Sequence, residues 1–157
     1  MRKIITDRKK LKKKCKPVED VKEGLRIGKL LLETLAKHKN GVGLAANQIG
    51  INQRVCVVNV LEPIIFVNPR VVSKFKKINF EEGCLSFPGD YVITERYANI
   101  AIHDDNNGHT IFDQNRSMLE CVCVQHEIDH LDGIVMYERV LNPYILNKEI
   151  STNGKKD

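Results

Sequence analysis

At 157 residues, with 42% hydrophobic and 29% charged residues, the chain has the make-up of one globular domain around one core, which excludes an intrinsically disordered protein. No apolar run is long enough to span a bilayer, and no apolar stretch follows the basic start Met1-Arg2-Lys3; neither a membrane partner nor secretion is expected, and the reading is cytoplasmic. Five cysteines, an odd number in a chain without a visible secretory signal, argue for reduced thiols or thiolate ligands rather than a disulfide framework.

The net charge of +5 is unevenly spread. Arg8 to Lys16 reads Arg-Lys-Lys-Leu-Lys-Lys-Lys-Cys-Lys, seven basic residues in nine. The run is expected to be a solvated segment, or else a contact for RNA or another polyanion. No aromatic residue is interleaved, so no base-stacking platform is suggested, and DNA is not an expected partner.

Asp20 to His38 carries Ile27, Leu30, Leu31 and Leu35 at the spacing of one helical face, with Asp20 as N-cap and Asn40-Gly41 as the stop. A loop of small residues follows, Gly41 to Gln48. Arg54 to Val60 reads as a buried strand and Ile64 to Val67 as another, ended by Asn68-Pro69. Val71 to Ile78 alternates weakly and is expected to be an edge strand with lysines facing water. Tyr91 to Thr94 and Asn99 to His103 read as two strands. Asp105-Asn106-Asn107-Gly108 is a turn signal, predicting a hairpin to Thr110–Phe112. Ser117 to Leu131 reads as a second helix, and the polar tail 147–157 as frayed. With no repeats and no linker, the class is α+β and the domain is single: an N-terminal helix, then mostly antiparallel sheets packed around a central helix.

That central helix carries His126-Glu127-Ile128-Asp129-His130. Histidines four residues apart project from one side, about one turn apart, and together can grip one metal ion. Glu127 beside them is a candidate proton carrier. At about 100° per residue, Leu119, Cys123, His126 and His130 share one side of the helix, and Cys121 points the opposite way. A catalytic site normally needs a third protein ligand and an open position. Cys123 sits on the ligand side, but three donors in a row along one straight helix converge poorly on a tetrahedral ion. A downstream carboxylate, Glu138 or Glu149, has little room for a helix of its own. Cys84 in Glu82-Gly83-Cys84-Leu85-Ser86 lies on a different segment, where Gly83 permits a tight backbone, and beside the histidine pair it is the favoured third ligand.

Three motifs occur in order: Gly41-Val42-Gly43-Leu44-Ala45-Ala46-Asn47-Gln48, Glu82-Gly83-Cys84-Leu85-Ser86, and Gln125-His126-Glu127-Ile128-Asp129-His130-Leu131-Asp132-Gly133. With Lys16-Pro17-Val18 and Asn68-Pro69, they make the chain resemble the peptide deformylase family over roughly residues 7 to 142. The resemblance implies a metal-dependent hydrolase that removes the N-formyl group from the formylmethionine of new polypeptides, releasing formate. It implies that Cys84, His126 and His130 hold one divalent ion and that Glu127 moves the proton. The Gln48 amide and the Leu85 backbone N–H would be donors to the developing oxyanion. Fe(2+) is expected in cells, with Zn(2+), Ni(2+) or Co(2+) as further occupants.

The first motif then acquires a role: Gly41, Val42 and Gly43 let the backbone lie close to an extended N-formylmethionyl peptide and pair with it. Leu119, Val122 and Cys123, with Tyr91, are candidate walls for the methionine side chain. Many bacterial family members continue into a longer basic C-terminal helix used for ribosome docking. Here Leu141 to Ile150 is expected to form only a short helix, and the lysine run is a candidate substitute for a transient ribosome contact. Two other functions share these motifs: a zinc endopeptidase built on the same His-Glu pair, and a non-catalytic metal-binding protein. The missing third carboxylate and the presence of Gln48 weigh against the first, and Glu127 and Gln48 would be idle in the second.

Overall fold

The computed structural model describes residues 2–141. The Leu141–Ile150 helix and the 147–157 tail expected from sequence fall, apart from Leu141, outside them. In chain order the helices are α1 (Arg8–Leu11), α2 (Val21–Leu35) and α3 (Gln114–Leu131). The strands are β1 (Gly43–Ala45), β2 (Val55–Asn59), β3 (Pro63–Val67), β4 (Arg70–Cys84), β5 (Phe87–Asp104) and β6 (Gly108–Asp113). Two 3-10 turns, Ala46–Ile49 and Met136–Arg139, complete the frame. The strands form two three-stranded antiparallel sheets, ordered β1-β2-β3 and β4-β5-β6.

Period-two alternation in β2 builds the layers. Val55 and Val57 face a cluster with Ile27, Leu31 and Leu35 of α2, while Cys56 and Val58 face a second cluster with Cys123, Val124, Ile128 and Leu131 of α3. Ile100, Ile102 and Phe112 of the other sheet close that second cluster. Helix α3 therefore lies between the sheets, and α2 covers the outer face of the first. Helix α2 reaches its sheet through Gly24 and Gly28: a Cβ on Gly24 would stand 2.6 Å from a Val67 methyl, and one on Gly28 would collide with Ile65.

Several expected boundaries move. Asp20 does cap α2, accepting the Lys22 N–H at 3.0 Å, but the helix ends at Leu35 rather than His38. The Gly41–Gln48 loop is instead a short strand and a 3-10 turn. The two strands expected at Tyr91–Thr94 and Asn99–His103 are one continuous strand of 18 residues. Its partner β4 runs on past the expected end at Ile78 to Cys84, so Cys84 is the last residue of that strand. Cross-strand pairing fixes the Asn79–Cys84 extension, which local alternation does not reveal. The expected start of the second helix is an internal break: Ser117 is extended (φ −171°) and its hydroxyl accepts the Glu120 N–H at 3.1 Å, while Asp113 caps one preceding turn. The lysine run is not wholly solvated, because Leu11 and Cys15 are buried within it.

Candidate metal and catalytic site

Cys84 leaves the end of β4, and His126 and His130 leave α3 one turn apart. Their donor atoms all lie within 4.8 Å of one another. Cys84 Sγ is 3.3 Å from His130 Nε2, which is 3.2 Å from His126 Nε2. A tetrahedral ion with Zn–N and Zn–S bonds of about 2.0–2.3 Å sets its ligand atoms about 3.3–3.7 Å apart, so the spacing and the thiolate–imidazole set fit such an ion. Cys121 points away, toward the carbonyls of Tyr97 and Phe112. Cys123 lies on the other side of Glu127, with Sγ 4.0 Å from Oε2.

The sequence-level reading missed a buried ion-pair network behind the cluster. Glu82 Oε1 accepts the Nδ1–H of His126 at 2.8 Å, which turns the Nε2 lone pair toward Cys84 and His130. Arg96 holds Glu82 through Nε at 2.5 Å and Nη2 at 2.8 Å, and Thr94 donates to the same carboxylate. Arg96 also binds Asp129 at 2.6 Å, and Arg139 closes the chain of charges on Asp129 at 2.9 Å. Burial works against the charge of Glu82, but hydrogen bonds from Arg96 and His126 outweigh it and hold its pKa down at about 2. Burial also opposes a charged His126, yet Glu127, Cys84 and Glu82 hold its pKa well above the ordinary imidazole value. His130 goes the other way, lowered by burial and then by the charges of His126 and Arg96. One signal for Glu82 was present in the sequence: it stands two residues before Cys84, on the same face of a strand carried that far.

Glu127 is buried, and burial raises its pKa to about 7. Its Oε1 has no hydrogen-bond partner among the described residues, an orphaned oxygen of a side chain that lines the cavity beside the cluster. Gln48 is 1% exposed on the Ala46–Ile49 turn. Its Oε1 accepts the Ala45 N–H at 2.9 Å, which fixes the amide and aims Nε2 toward Cys84 Sγ at 3.7 Å and Ser86 Oγ at 3.0 Å. Ser86, buried and unassigned by sequence reasoning, therefore orients Gln48. Leu85 sits with Ser86 in the turn between β4 and β5.

A cavity of about 1100 Å³ opens onto Cys84, His126 and Glu127. Val42, Gly43, Gln48, Leu85, Leu119, Val122 and Cys123 all line it. Tyr91 stands at its rim, 65% exposed, with its ring against Gly83. The glycines have physical reasons other than those expected. A Cβ on Gly43 would collide with Glu127 and come 2.7 Å from Cys123 Sγ, and one on Gly83 would come 3.0 Å from the Tyr91 ring. Gly43 makes room for Glu127, and Gly83 makes room for Tyr91.

Comparison with known proteins gives one consistent answer. The family model described as polypeptide deformylase matches residues 1–144. A peptide deformylase of Neisseria meningitidis (serogroup C) is 41% identical over 133 residues, covering 80% of this chain and 78% of its own. Among solved structures, a probable peptide deformylase from Synechococcus phage S-SSM7 superposes with a TM-score of 0.77 at 35% identity, covering 88% of this chain and 99% of its own. A Met-Ala-Ser-bound peptide deformylase from Acinetobacter baumannii superposes with a TM-score of 0.79 at 26% identity, covering 89% and 98%.

Proposed function

This chain belongs to the peptide deformylase family, and on that footing we propose how its own residues divide the work. It is a metal-dependent hydrolase that removes the N-formyl group from nascent polypeptides, and its mixed fold of helices and antiparallel sheets matches that of solved family members. Cys84, His126 and His130 hold the ion, with Glu82 fixing the His126 tautomer. When bound, a divalent ion supplies Lewis-acid chemistry that makes water nucleophilic near neutral pH. The mixed thiolate and imidazole donors suit Fe(2+) and Zn(2+), and Ni(2+) or Co(2+) also; Fe(2+) is the proposed ion in cells. Anaerobic loading with each metal tests this, and full activity with zinc without gain from iron overturns it.

Glu127 accepts a proton from the attacking water and returns it to the amine nitrogen as the C–N bond breaks, leaving formate and a free N-terminus. Gln48 Nε2 and the Leu85 N–H donate to the formyl oxygen as it gains charge. The substrate backbone adds to the free edge of β1 beside Val42 and Gly43, since β2 occupies only the other edge. The methionine side chain enters between Leu119, Val122 and Cys123, with Tyr91 at the mouth. The Met-Ala-Ser ligand of the Acinetobacter relative supports that occupant.

The observation that carries this reading is the convergence of Cys84, His126 and His130 within 4.8 Å, with a buried carboxylate and a fixed amide donor facing the same cavity. The chain acts as one catalytic domain, in the cytoplasm, with transient access to the ribosome. Among the described residues no helix is long and apolar enough to cross a membrane. Formate release from a formyl-Met tripeptide, measured beside internal cleavage of an unformylated peptide, tests the assignment. Internal cleavage without formate release points to the endopeptidase, and neither activity with metal bound points to a non-catalytic site.

A further inference from the structure

The lysine run that the deformylase site does not use has a defined structure. Asp7 caps α1 by accepting the Lys9 N–H at 2.9 Å. Leu11 is fully buried and Cys15 nearly so, and the Cys15 N–H donates to the Leu131 carbonyl at 2.9 Å. The Lys16 carbonyl accepts the Arg54 N–H at 2.8 Å. Lys12 lies against Gly133, where an added Cβ would strike the Lys12 carbonyl. The backbone is thus fastened at both ends and in the middle, while Arg8, Lys9, Lys10, Lys12, Lys13, Lys14 and Lys16 are all exposed. Among the described residues, none of these seven cations takes part in an ion pair, and only the Arg8 guanidinium lies over an aromatic ring, 4.8 Å from the Tyr137 centroid. A row of unpaired cations repels itself and costs stability, so a structure that fixes one has a use for it.

We propose that Arg8–Lys16 is a docking ridge for the phosphate backbone of structured RNA. Two features of the ridge and one consequence of the proposed deformylase function favour this partner. Both apolar side chains of the run, Leu11 and Cys15, point into the core, so the ridge has no wedge to insert into a lipid interface. It has no aromatic, so it contacts phosphates rather than stacked bases and reads no sequence. An enzyme whose substrates are nascent chains also works beside dense RNA phosphate. The ridge adjoins the site without entering it: the preceding Ile5 N–H donates to the Gln48 carbonyl at 2.7 Å. Because the backbone is already ordered, docking gives up little chain entropy.

The test uses the full-length, metal-loaded protein and a labelled 20-base-pair RNA duplex of arbitrary sequence. If about four phosphates are neutralised, affinity falls on the order of 100-fold between 50 and 200 mM salt, by counterion release. A variant with Lys9, Lys10, Lys13 and Lys14 changed to Gln loses on the order of 100-fold affinity at 50 mM salt. A control with Lys22, Lys29, Lys39 and Lys74 changed to Gln carries the same net charge and loses less than about threefold. Equal losses in the two variants overturn the proposal, as does tighter binding to anionic phosphatidylserine vesicles or to polyglutamate than to the duplex. Turnover of a free formyl-Met tripeptide, unchanged in the ridge variant, verifies folding and separates failure of this proposal from failure of the deformylase reading.

Discussion

Glu82 and His126 are 44 residues apart in sequence and joined by a 2.8 Å hydrogen bond at Nδ1 that leaves His126 Nε2 turned toward His130 and Cys84. Arg96 grips the same carboxylate with two nitrogens, so one buried anion serves both the site and the fold. Replacing Glu82 with Gln removes the charge at nearly constant volume. Arg96, 3% exposed, is then left with Asp129 as its anion, and unfolding free energy should fall by about 3–5 kcal/mol, the usual consequence of breaking a buried pair. Metal affinity should drop about 10–100-fold. Thermal unfolding and metal titration measure the two effects separately, and unchanged affinity would remove Glu82 from the site.

The ligand assignment separates cleanly between two cysteines. Cys84→Ala should lose the bound metal, while Cys123→Ala should keep it, because Cys123 Sγ lies beside Glu127 rather than within the donor cluster. Metal content after gel filtration decides the matter. Loss of metal from the Cys123 variant alone would reverse the assignment.

Glu127→Ala should cut turnover by about 10²–10⁴-fold, the range for a positioned acid–base group. Metal content should stay at the wild-type level, since Glu127 is not among the three converging donors. Formate release at saturating substrate is the measurement. Retained turnover would remove the residue from proton transfer.

Gln48→Ala should lower kcat by about 10²–10³-fold with little change in KM, as expected for a donor used in the transition state. Ser86→Ala acts only through Gln48, freeing one of its two Nε2 hydrogens, and should fall between wild type and Gln48→Ala. In the double variant the Ser86 effect should vanish. Additive losses would show that Ser86 has a separate role.

Gly43→Ala places a methyl group against Glu127 and Cys123 Sγ. Overpacking of this kind costs about 1–3 kcal/mol, and it displaces the Glu127 carboxylate, the proposed proton carrier. The loss should therefore appear in kcat as well as in thermal stability. A Gly43→Ala/Cys123→Ala double variant should recover part of the stability, because it empties the space beside the new methyl.

The sequence by itself determined the chemistry that is local. His126 and His130 share a helix side because they are four residues apart. Asp20 caps α2, and the Asn-Gly turn ends the β5–β6 hairpin, because those signals act over a few residues. The family motifs added Cys84, Gln48 and Leu85. Only the tertiary structure decided what surrounds them. The extension of β4 to Cys84 depends on pairing with β5, and the Glu82–Arg96–Asp129 network joins both strands of that pair to α3. The Ser86–Gln48 contact joins a turn to a segment 38 residues earlier. Gly43 illustrates the division: sequence marks it as a flexible glycine, but its reason is a carboxylate 84 positions further along the chain. Local preference acts over one turn or one pleat, whereas burial, ion pairing and steric clearance depend on which distant segments the core brings together.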